Sequence, residues 1–450
     1  MNPNIFREYD IRGIVGQHLT DETVATLGLA ISTFFRQSGA KRIAIGYDAR
    51  ASSPRFCDLL TRGFNETGCD IVLIGMVPTP VLYHTVFTKN VDGGVMITGS
   101  HNPPDHNGFK ICLGKDTLFG SQIQEIKAIA FAGDFASGSG TVETIEVLDD
   151  YCADIVSRIS LGGRKLKAVI DAGNGMGGVT AVPVYRELGI EMTELFIEPD
   201  STFPNHHADP TVEENLQDMI AAVRENHADI GIAFDGDGDR IGVVDETGRV
   251  IWGDELMVLF SRGVLAENPG ATIIAEVKCS QTLFDDIEKH GGRALMWKAG
   301  HSIIKAKMKE TGAALAGEMS GHFFFADRFY GFDDATYAGA RILEILSKTD
   351  KPLSALFADL PKTYSTPELR VDCPDETKFD VVQKIAEYFA RDHEVIAIDG
   401  ARILFENGWG LVRASNTQAL LVLRFEAENA GSLSEIRKIV EAKVDELIGR

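Results

Sequence analysis

Short apolar runs rich in β-branched residues alternate with helix-length amphipathic stretches along most of this chain, and that alternation constrains the fold more than any other feature. Such a rhythm points to sheets with helices layered on their faces. In the first block, a strand at 42–48 is followed by a helix opened by Pro54 and closed near Gly68. A strand at 70–75, a helix at 79–90 and a strand at 94–98 complete it. The second block repeats the pattern, with a strand at 166–171, a helix ending at Gly189, a strand at 192–197 and a helix at 212–227. A third, from about Val250, offers strands at 271–277 and 293–297 and helices at 281–290, from His301, and at 333–347. From about Lys362 the character changes. A helix at 378–391, closely spaced strands at 395–398, 402–405, 411–414 and 419–425, and a final helix from Ser432 suit a smaller α+β unit. The expected fold class is α/β: three similar α/β domains with mixed sheets and a smaller C-terminal α+β domain.

Several domains are also what the length demands, because 450 residues exceed one ordinary core. Hydrophobic content of 44% is ample for packing. A net charge of −22 argues against nucleic acid and anionic membrane surfaces as general partners, so an anionic substrate requires a local basic cluster. The amino terminus has no signal-like apolar region, and no apolar run approaches membrane-spanning length. Six scattered cysteines without CxxC spacing read as reduced thiols, so a cytoplasmic location is expected.

The densest chemistry lies in Phe234-Asp235-Gly236-Asp237-Gly238-Asp239-Arg240, where three carboxylates alternate with two glycines. Like charges so close repel unless a cation sits among the oxygens, and hard divalent cations favour oxygen ligands. Arg240 adds a forked donor suited to a phosphate beside the metal. An EF-hand is a poor match, because Arg240 stands where that loop needs Gly and both flanks read as strands. A solvated acidic turn is the plainer alternative.

Three further stations bear on the same chemistry. Thr98-Gly99-Ser100-His101-Asn102-Pro103-Pro104 follows a strand, at the end where open α/β sheets place ligands. There Ser100 is a candidate nucleophile or phosphoryl carrier, although an ordinary turn serine reads the same way. Lys110 follows, able to neutralise a phosphate or move a proton. In Gly317-Glu318-Met319-Ser320-Gly321-His322, an extended segment projects Glu318 and Ser320 to one face, suiting vicinal sugar hydroxyls. Arg413-Ala414-Ser415-Asn416-Thr417 gathers an Arg and small hydrogen-bonding side chains into a candidate phosphate clamp. Arg12, Lys278 and the helix start at His301 supply further cationic groups. The glycine-rich 171–178 segment lacks dinucleotide-binding spacing and reads as a tight strand-to-helix turn.

Together, FREYDIRG (6–13), TGSHNPPDHNGFK (98–110), DGDGDR (235–240), GEMSGH (317–322) and RASNT (413–417) resemble the α-D-phosphohexomutase family, above all its bacterial phosphomannomutase/phosphoglucomutase branch. The resemblance covers essentially the whole chain. It implies four domains around a central cleft: 1–147 with the phosphoserine loop, 148–249 with the metal loop, 250–361 with the sugar-recognition loop and 362–450 with the phosphate clamp. The implied reaction moves phosphate between the 1- and 6-positions of mannose or glucose phosphates through a hexose 1,6-bisphosphate, which also serves as activator. Ser100 matches the phosphoserine, and Ser100, Asp235, Asp237 and Asp239 match the Mg²⁺ site. Arg12, Lys110 and His322 match proton-transfer candidates. Tyr9, His101, Arg240, Lys278, His301, Glu318, Ser320, Arg413, Ser415, Asn416 and Thr417 match substrate contacts. One departure is visible: the family usually follows Ser-Asn-Thr with one residue and Pro, whereas Gln418-Ala419 stand here. Expected partners are small hexose phosphates, with no nucleic acid and no membrane, and a monomer or weak oligomer. Phosphoglucosamine mutase is an alternative disfavoured by Met319, where that enzyme typically carries Gln. A metal-dependent sugar phosphatase and a non-catalytic phosphosugar binder are the alternatives outside the mutases.

Overall fold

In the computed structural model, which describes residues 1–416 and 419–449, four sheets follow one another along the chain. The first three share one core order. If their strands are numbered within each unit, the spatial order is second, first, third, fourth, and the fourth runs antiparallel. In the first sheet these strands are Arg42–Tyr47, Asp70–Met76, Gly93–Ile97 and His106–Leu113. In the second they are Lys167–Asp171, Glu191–Leu195, Ile230–Phe234 and Ile241–Asp245. In the third they are Thr272–Glu276, Arg293–Trp297, Leu315–Gly317 and Phe323–Phe325. The fourth sheet, built from Tyr364–Ser365, Leu369–Asp372, Val395–Ile396, Ala401–Phe405, Gly408–Ala414 and Leu420–Ala427, is wholly antiparallel.

That shared order decides where chemistry goes. In each of the first three units, the loop between the third parallel strand and its antiparallel partner leaves the same edge. These loops are 98–105, 235–240 and 318–322, which carry Ser100, the three aspartates and Glu318 with Ser320. Parallel strands are covered by helices on both faces, so their sequences read as apolar runs; Gly93–Ile97 and Ile230–Phe234 are buried throughout.

The alternating pattern finds most of these strands and helices, with ends shifted by a few residues, and does not pick out Leu315–Gly317. It leaves out the helices Asp21–Gln37, Ser121–Ala132, Leu148–Ser157 and Gly253–Glu267. Three expectations need correction. The expected helix over 212–227 is divided, with a 3₁₀ turn at Glu213–Leu216 before the α-helix Gln217–Glu225. The expected helix over 333–347 starts at Ala335, because Asp334 caps it by accepting from the Tyr337 N–H at 2.8 Å. Residues 318–320 form a turn instead of an extended segment, closed by Glu318 N–H to His322 O at 3.0 Å and Gly321 N–H to Glu318 O at 3.1 Å. The strong turn former Gly321, with φ of +89°, outweighs the short polar pattern there.

One apolar core runs through the first three units, joining Val81 and Tyr83 to Tyr185, Phe323 and Tyr337. The last unit has its own core around Ile385, Ile403, Leu423 and Val440, and meets the third through the small cluster Val277, Trp409 and Leu411. Buried Arg402 adds to that junction by donating to the carbonyls of Val277 and Cys279 at 2.7 and 2.8 Å. All six cysteines are free. Among the described residues, no helix is long and apolar enough to cross a membrane.

Candidate active site

Ser100 stands on the first loop with φ of +49°, a left-handed conformation unusual for a residue with a side chain. The cradle holding it there is Arg50, only 1% exposed, whose two terminal nitrogens donate to the carbonyls of Ser100, Asn102, Pro103 and His106 at 2.5–2.9 Å. Asp48 completes it, taking the Gly99 N–H at 3.0 Å and pairing with Arg50 Nε at 3.3 Å. The Ser100 hydroxyl donates to Asp235 Oδ2 at 2.9 Å and lies 3.1 Å from His101 Nδ1. Burial, then the cations Arg240 and Arg12, hold the His101 imidazole neutral. So close an approach of two loops requires glycine: a Cβ on Gly236 would lie 2.3 Å from the Ser100 carbonyl oxygen.

Asp235, Asp237 and Asp239 are fully buried, and their oxygens converge to within 4.8 Å. The second loop wraps around Asp235, whose Oδ1 accepts the N–H groups of Asp239 and Arg240, both at 3.1 Å. Burial and the charges of Asp237 and Asp239 push the Asp235 carboxyl well up. For Asp237, burial is outweighed by Lys110 and the Thr79 hydroxyl, at 2.7 and 2.5 Å, and its carboxyl is held down. Lys110 also pairs with Asp239, and against its burial the two acids keep its ammonium charged. Asp237 Oδ1 and Asp239 Oδ1 are buried with no hydrogen-bond partner among the described residues. An all-oxygen donor set with orphaned buried oxygens fits a hard divalent cation.

The third loop and its neighbours form the opposite wall. Glu318 Oε1 accepts the Gly300 N–H at 2.7 Å, just before the helix His301–Thr311, while Ser320 is half-exposed. Buried His322 accepts the Nε–H of Arg240 on its Nε2 at 2.9 Å, linking the 318–322 loop to the acidic loop. Its ring stacks on that of His301 at 5.6 Å. Lys278 lies 3.2 Å from Glu368 and 3.4 Å from Glu276. Against burial, those acids raise its affinity for its proton.

From the fourth unit, Arg413 pairs with Asp399 Oδ2 at 3.0 Å, and that oxygen also accepts the Ala299 N–H at 3.1 Å. Asn416 donates to the Tyr9 hydroxyl at 2.7 Å, which in turn donates to Ala299 O at 3.0 Å. Tyr9 thereby ties the first, third and fourth units at one point. Ser415 is buried beside Arg413, and Lys378 donates to its carbonyl. Thr417 lies outside the described residues. Arg12 is taken up by Asp10. The structure therefore brings the described sequence stations into one enclosure. Pattern reading passes over Asp48, Arg50, Thr79 and Asp333. The available signal was positional: Asp48-Ala-Arg50 follows the first strand of its sheet directly, where a charged pair lies at the ligand edge.

Four family models match in order, each described as phosphoglucomutase/phosphomannomutase: alpha/beta/alpha domain I over 3–137, domain II over 149–248, domain III over 252–364 and the C-terminal domain over 368–443. The chain belongs to the phosphoglucomutase/phosphomannomutase family. Among relatives in that family, a phosphomannomutase/phosphoglucomutase of Pseudomonas putida is 49% identical over 444 residues, 98% of this chain and 95% of its own. A phosphoglucomutase of Neisseria meningitidis serogroup A is 48% identical over 98% of this chain and 97% of its own. The crystal structure of a phosphoglucomutase/phosphomannomutase family protein from Burkholderia thailandensis superposes with a TM-score of 0.93 at 44% identity, covering 99% of this chain and 98% of that one. The family assignment agrees with three repeated α/β/α units and a distinct fourth.

Proposed function

We propose that this enzyme is a phosphomannomutase/phosphoglucomutase that carries phosphate between the 1- and 6-oxygens of hexose phosphates through phosphorylated Ser100. The observation carrying this reading is the pairing of two anion-handling ends within one enclosure. At one end, Ser100 lies against the acidic triad with Lys110 inside it. At the other, Arg413 and Lys278 gather beneath the Tyr9–Asn416 link. A substrate with phosphate at both ends engages both, whereas a phosphatase has no use for the second.

Ser100, Asp235, Asp237 and Asp239 would hold Mg²⁺, with the oxygens of the seryl phosphate and the two orphaned carboxylate oxygens as the donor set. When bound, that ion offsets negative charge on the transferring phosphoryl group. The chain's own residues do the rest. Arg50 and Asp48 fix the serine, His322 takes the proton of the attacking sugar hydroxyl, and Lys110 and Arg12 serve proton transfer at the serine end. The phosphoryl group passes from Ser100 Oγ to the sugar oxygen, giving the 1,6-bisphosphate, which turns within the enclosure and returns its other phosphate to Ser100. Lys278 and the Arg413–Thr417 loop grip the distal phosphate, Arg240, His101 and His301 are further substrate contacts, and Glu318 and Ser320 hold sugar hydroxyls. Here Glu318 already accepts a backbone N–H, the kind of donor a sugar hydroxyl replaces. Since Met319 stands where phosphoglucosamine mutases typically carry Gln, glucose and mannose are the preferred sugars.

Phosphorus NMR tests this directly, with Mg²⁺, a trace of hexose 1,6-bisphosphate, and the 1-phosphates of mannose, glucose or glucosamine in separate tubes. Conversion of the mannose and glucose compounds to 6-phosphates, with little in the glucosamine tube and none in any tube for Ser100→Ala, is the expected outcome. Release of inorganic phosphate alone would make the enzyme a hydrolase, and turnover by Ser100→Ala would remove the serine from the transfer.

A further inference from the structure

Behind His322 lies a buried carboxylate that the reaction scheme leaves without a role. Asp333 is fully buried, and its Oδ2 lies 3.1 Å from His322 Nδ1 and 3.6 Å from His301 Nδ1, at ion-pair distance but without the alignment of a hydrogen bond. Its other oxygen accepts from Lys305 at 2.8 Å. The next acceptor for His322 Nδ1, Asp239 Oδ1, is more distant at 3.6 Å. The mount is rigid: Asp333 bridges to Phe324 in the strand beside His322, and the next residue, Asp334, caps the helix Ala335–Ser347.

Arg240 settles which imidazole nitrogen bears the proton. A guanidinium only donates, so the 2.9 Å contact from Arg240 Nε requires a lone pair on His322 Nε2. The ring proton is therefore on Nδ1, facing Asp333. A carboxylate behind one imidazole nitrogen, with the other nitrogen turned to the reacting group, is the arrangement that orients a histidine base.

We propose that Asp333 is a positioning residue that locks the Nδ1–H tautomer and ring angle of His322, so that Nε2 presents its lone pair to the sugar hydroxyl. When Arg240 turns to a substrate phosphate, Nε2 is released as an acceptor already aimed. The hydroxyl proton passes to it while the oxygen electron pair forms the new P–O bond, and the Ser100 Oγ–P bond breaks with its electron pair left on the serine oxygen. Lys305 keeps Asp333 ionised, and its ammonium rests 4.0 Å above the Tyr83 ring. The inference rests on His322 acting as the base.

The test compares the Mg²⁺-loaded wild-type enzyme with Asp333→Asn, His322→Gln and the double variant, using glucose 1-phosphate. General-base contributions set the scale, so kcat should fall about 100-fold or more in Asp333→Asn while KM stays within about threefold. The double variant should be no slower than His322→Gln, since both changes disable one device. Long-range ¹⁵N–¹H correlation on the wild-type enzyme, with His322 assigned by its loss in His322→Gln, should show Nδ1 protonated. Near-normal turnover in Asp333→Asn beside a crippled His322→Gln would overturn the inference alone. Near-normal turnover in His322→Gln would remove the base role beneath it. If Asp333→Asn does not fold, an Nε2–H tautomer in the wild-type spectrum overturns the proposal by itself.

Discussion

Replacing Arg50 with Ala should both destabilise the first unit and slow turnover, although Arg50 lies in none of the sequence stations. Its guanidinium gives four hydrogen bonds to loop carbonyls and one ion pair to Asp48, and the Phe203 ring lies 5.4 Å from its centre. Hydrogen bonds to a charged donor are each worth about 1.5–3 kcal/mol, yet bonds sharing one side chain are not additive. Removing one member of a buried charge pair costs about 3–5 kcal/mol. Asp48 keeps the N–H groups of Gly99 and Arg50 and the Ser53 hydroxyl, so the loss belongs in the lower part of that range. A loss of about 3–4 kcal/mol in a cooperative unit of this size lowers its melting temperature by roughly 10 °C. Calorimetry should resolve that shift, and a coupled glucose 1-phosphate assay should show kcat falling more than KM, because the left-handed Ser100 loses its support. Arg50→Lys should recover part of the stability and little of the rate, since one ammonium cannot reach all four carbonyls. An Arg50→Ala enzyme melting within about 2 °C of wild type, with unaltered kcat, would refute the cradle argument.

Three other outcomes are expected. Mg²⁺ at about 100 times its dissociation constant should stabilise the enzyme by roughly 2.7 kcal/mol, and Asp237→Asn should abolish the thermal shift; an unchanged shift in that variant would place the ion elsewhere. Arg413→Ala should raise KM for both the 1-phosphate and the 6-phosphate by about tenfold or more through loss of a charged contact, and an unchanged KM in either direction would take it out of the clamp. Burial pushes the Asp334 carboxyl up to about 7 despite its bonds from Tyr337 N–H and the Tyr151 hydroxyl. Because the folded value exceeds the unfolded one, the stability this group contributes is full below about pH 4 and is lost as pH rises to about 7, by at most about 4 kcal/mol. Asp334→Asn keeps the helix cap and should therefore gain on wild type between pH 5 and pH 8 in urea unfolding; equal slopes would refute the burial argument.

The strands at 42–47, 93–97 and 230–234 were legible because burial on both faces writes an apolar run into the sequence. The helix Asp21–Gln37 was passed over where glycine and β-branched residues dilute its pattern. Glu318 and Ser320 were placed on one face of a strand because an alternating polar triplet looks the same in a turn. Asp333 and Asp334 were read as one helix start, although one residue caps the helix and the other turns toward two histidines. Neighbouring identical letters carry no information about which direction each side chain takes.

The sequence by itself determined three α/β units with a distinct fourth and the acidic loop at 235–240, and it marked Ser100, Lys110, Glu318 and Arg413 as candidate site residues. Hydrophobic period and dense local motifs are short-range properties, and a linear string records them. Tertiary structure alone decided that Arg50 supports Ser100, that Lys110 lies between Asp237 and Asp239, and that Asp333 stands behind His322. The first two join residues 50 or more apart in the chain, and the third joins residues 11 apart that the bridge between Phe324 and Asp333 brings together. Such proximity follows from repeated strand order and packing, which no local pattern encodes.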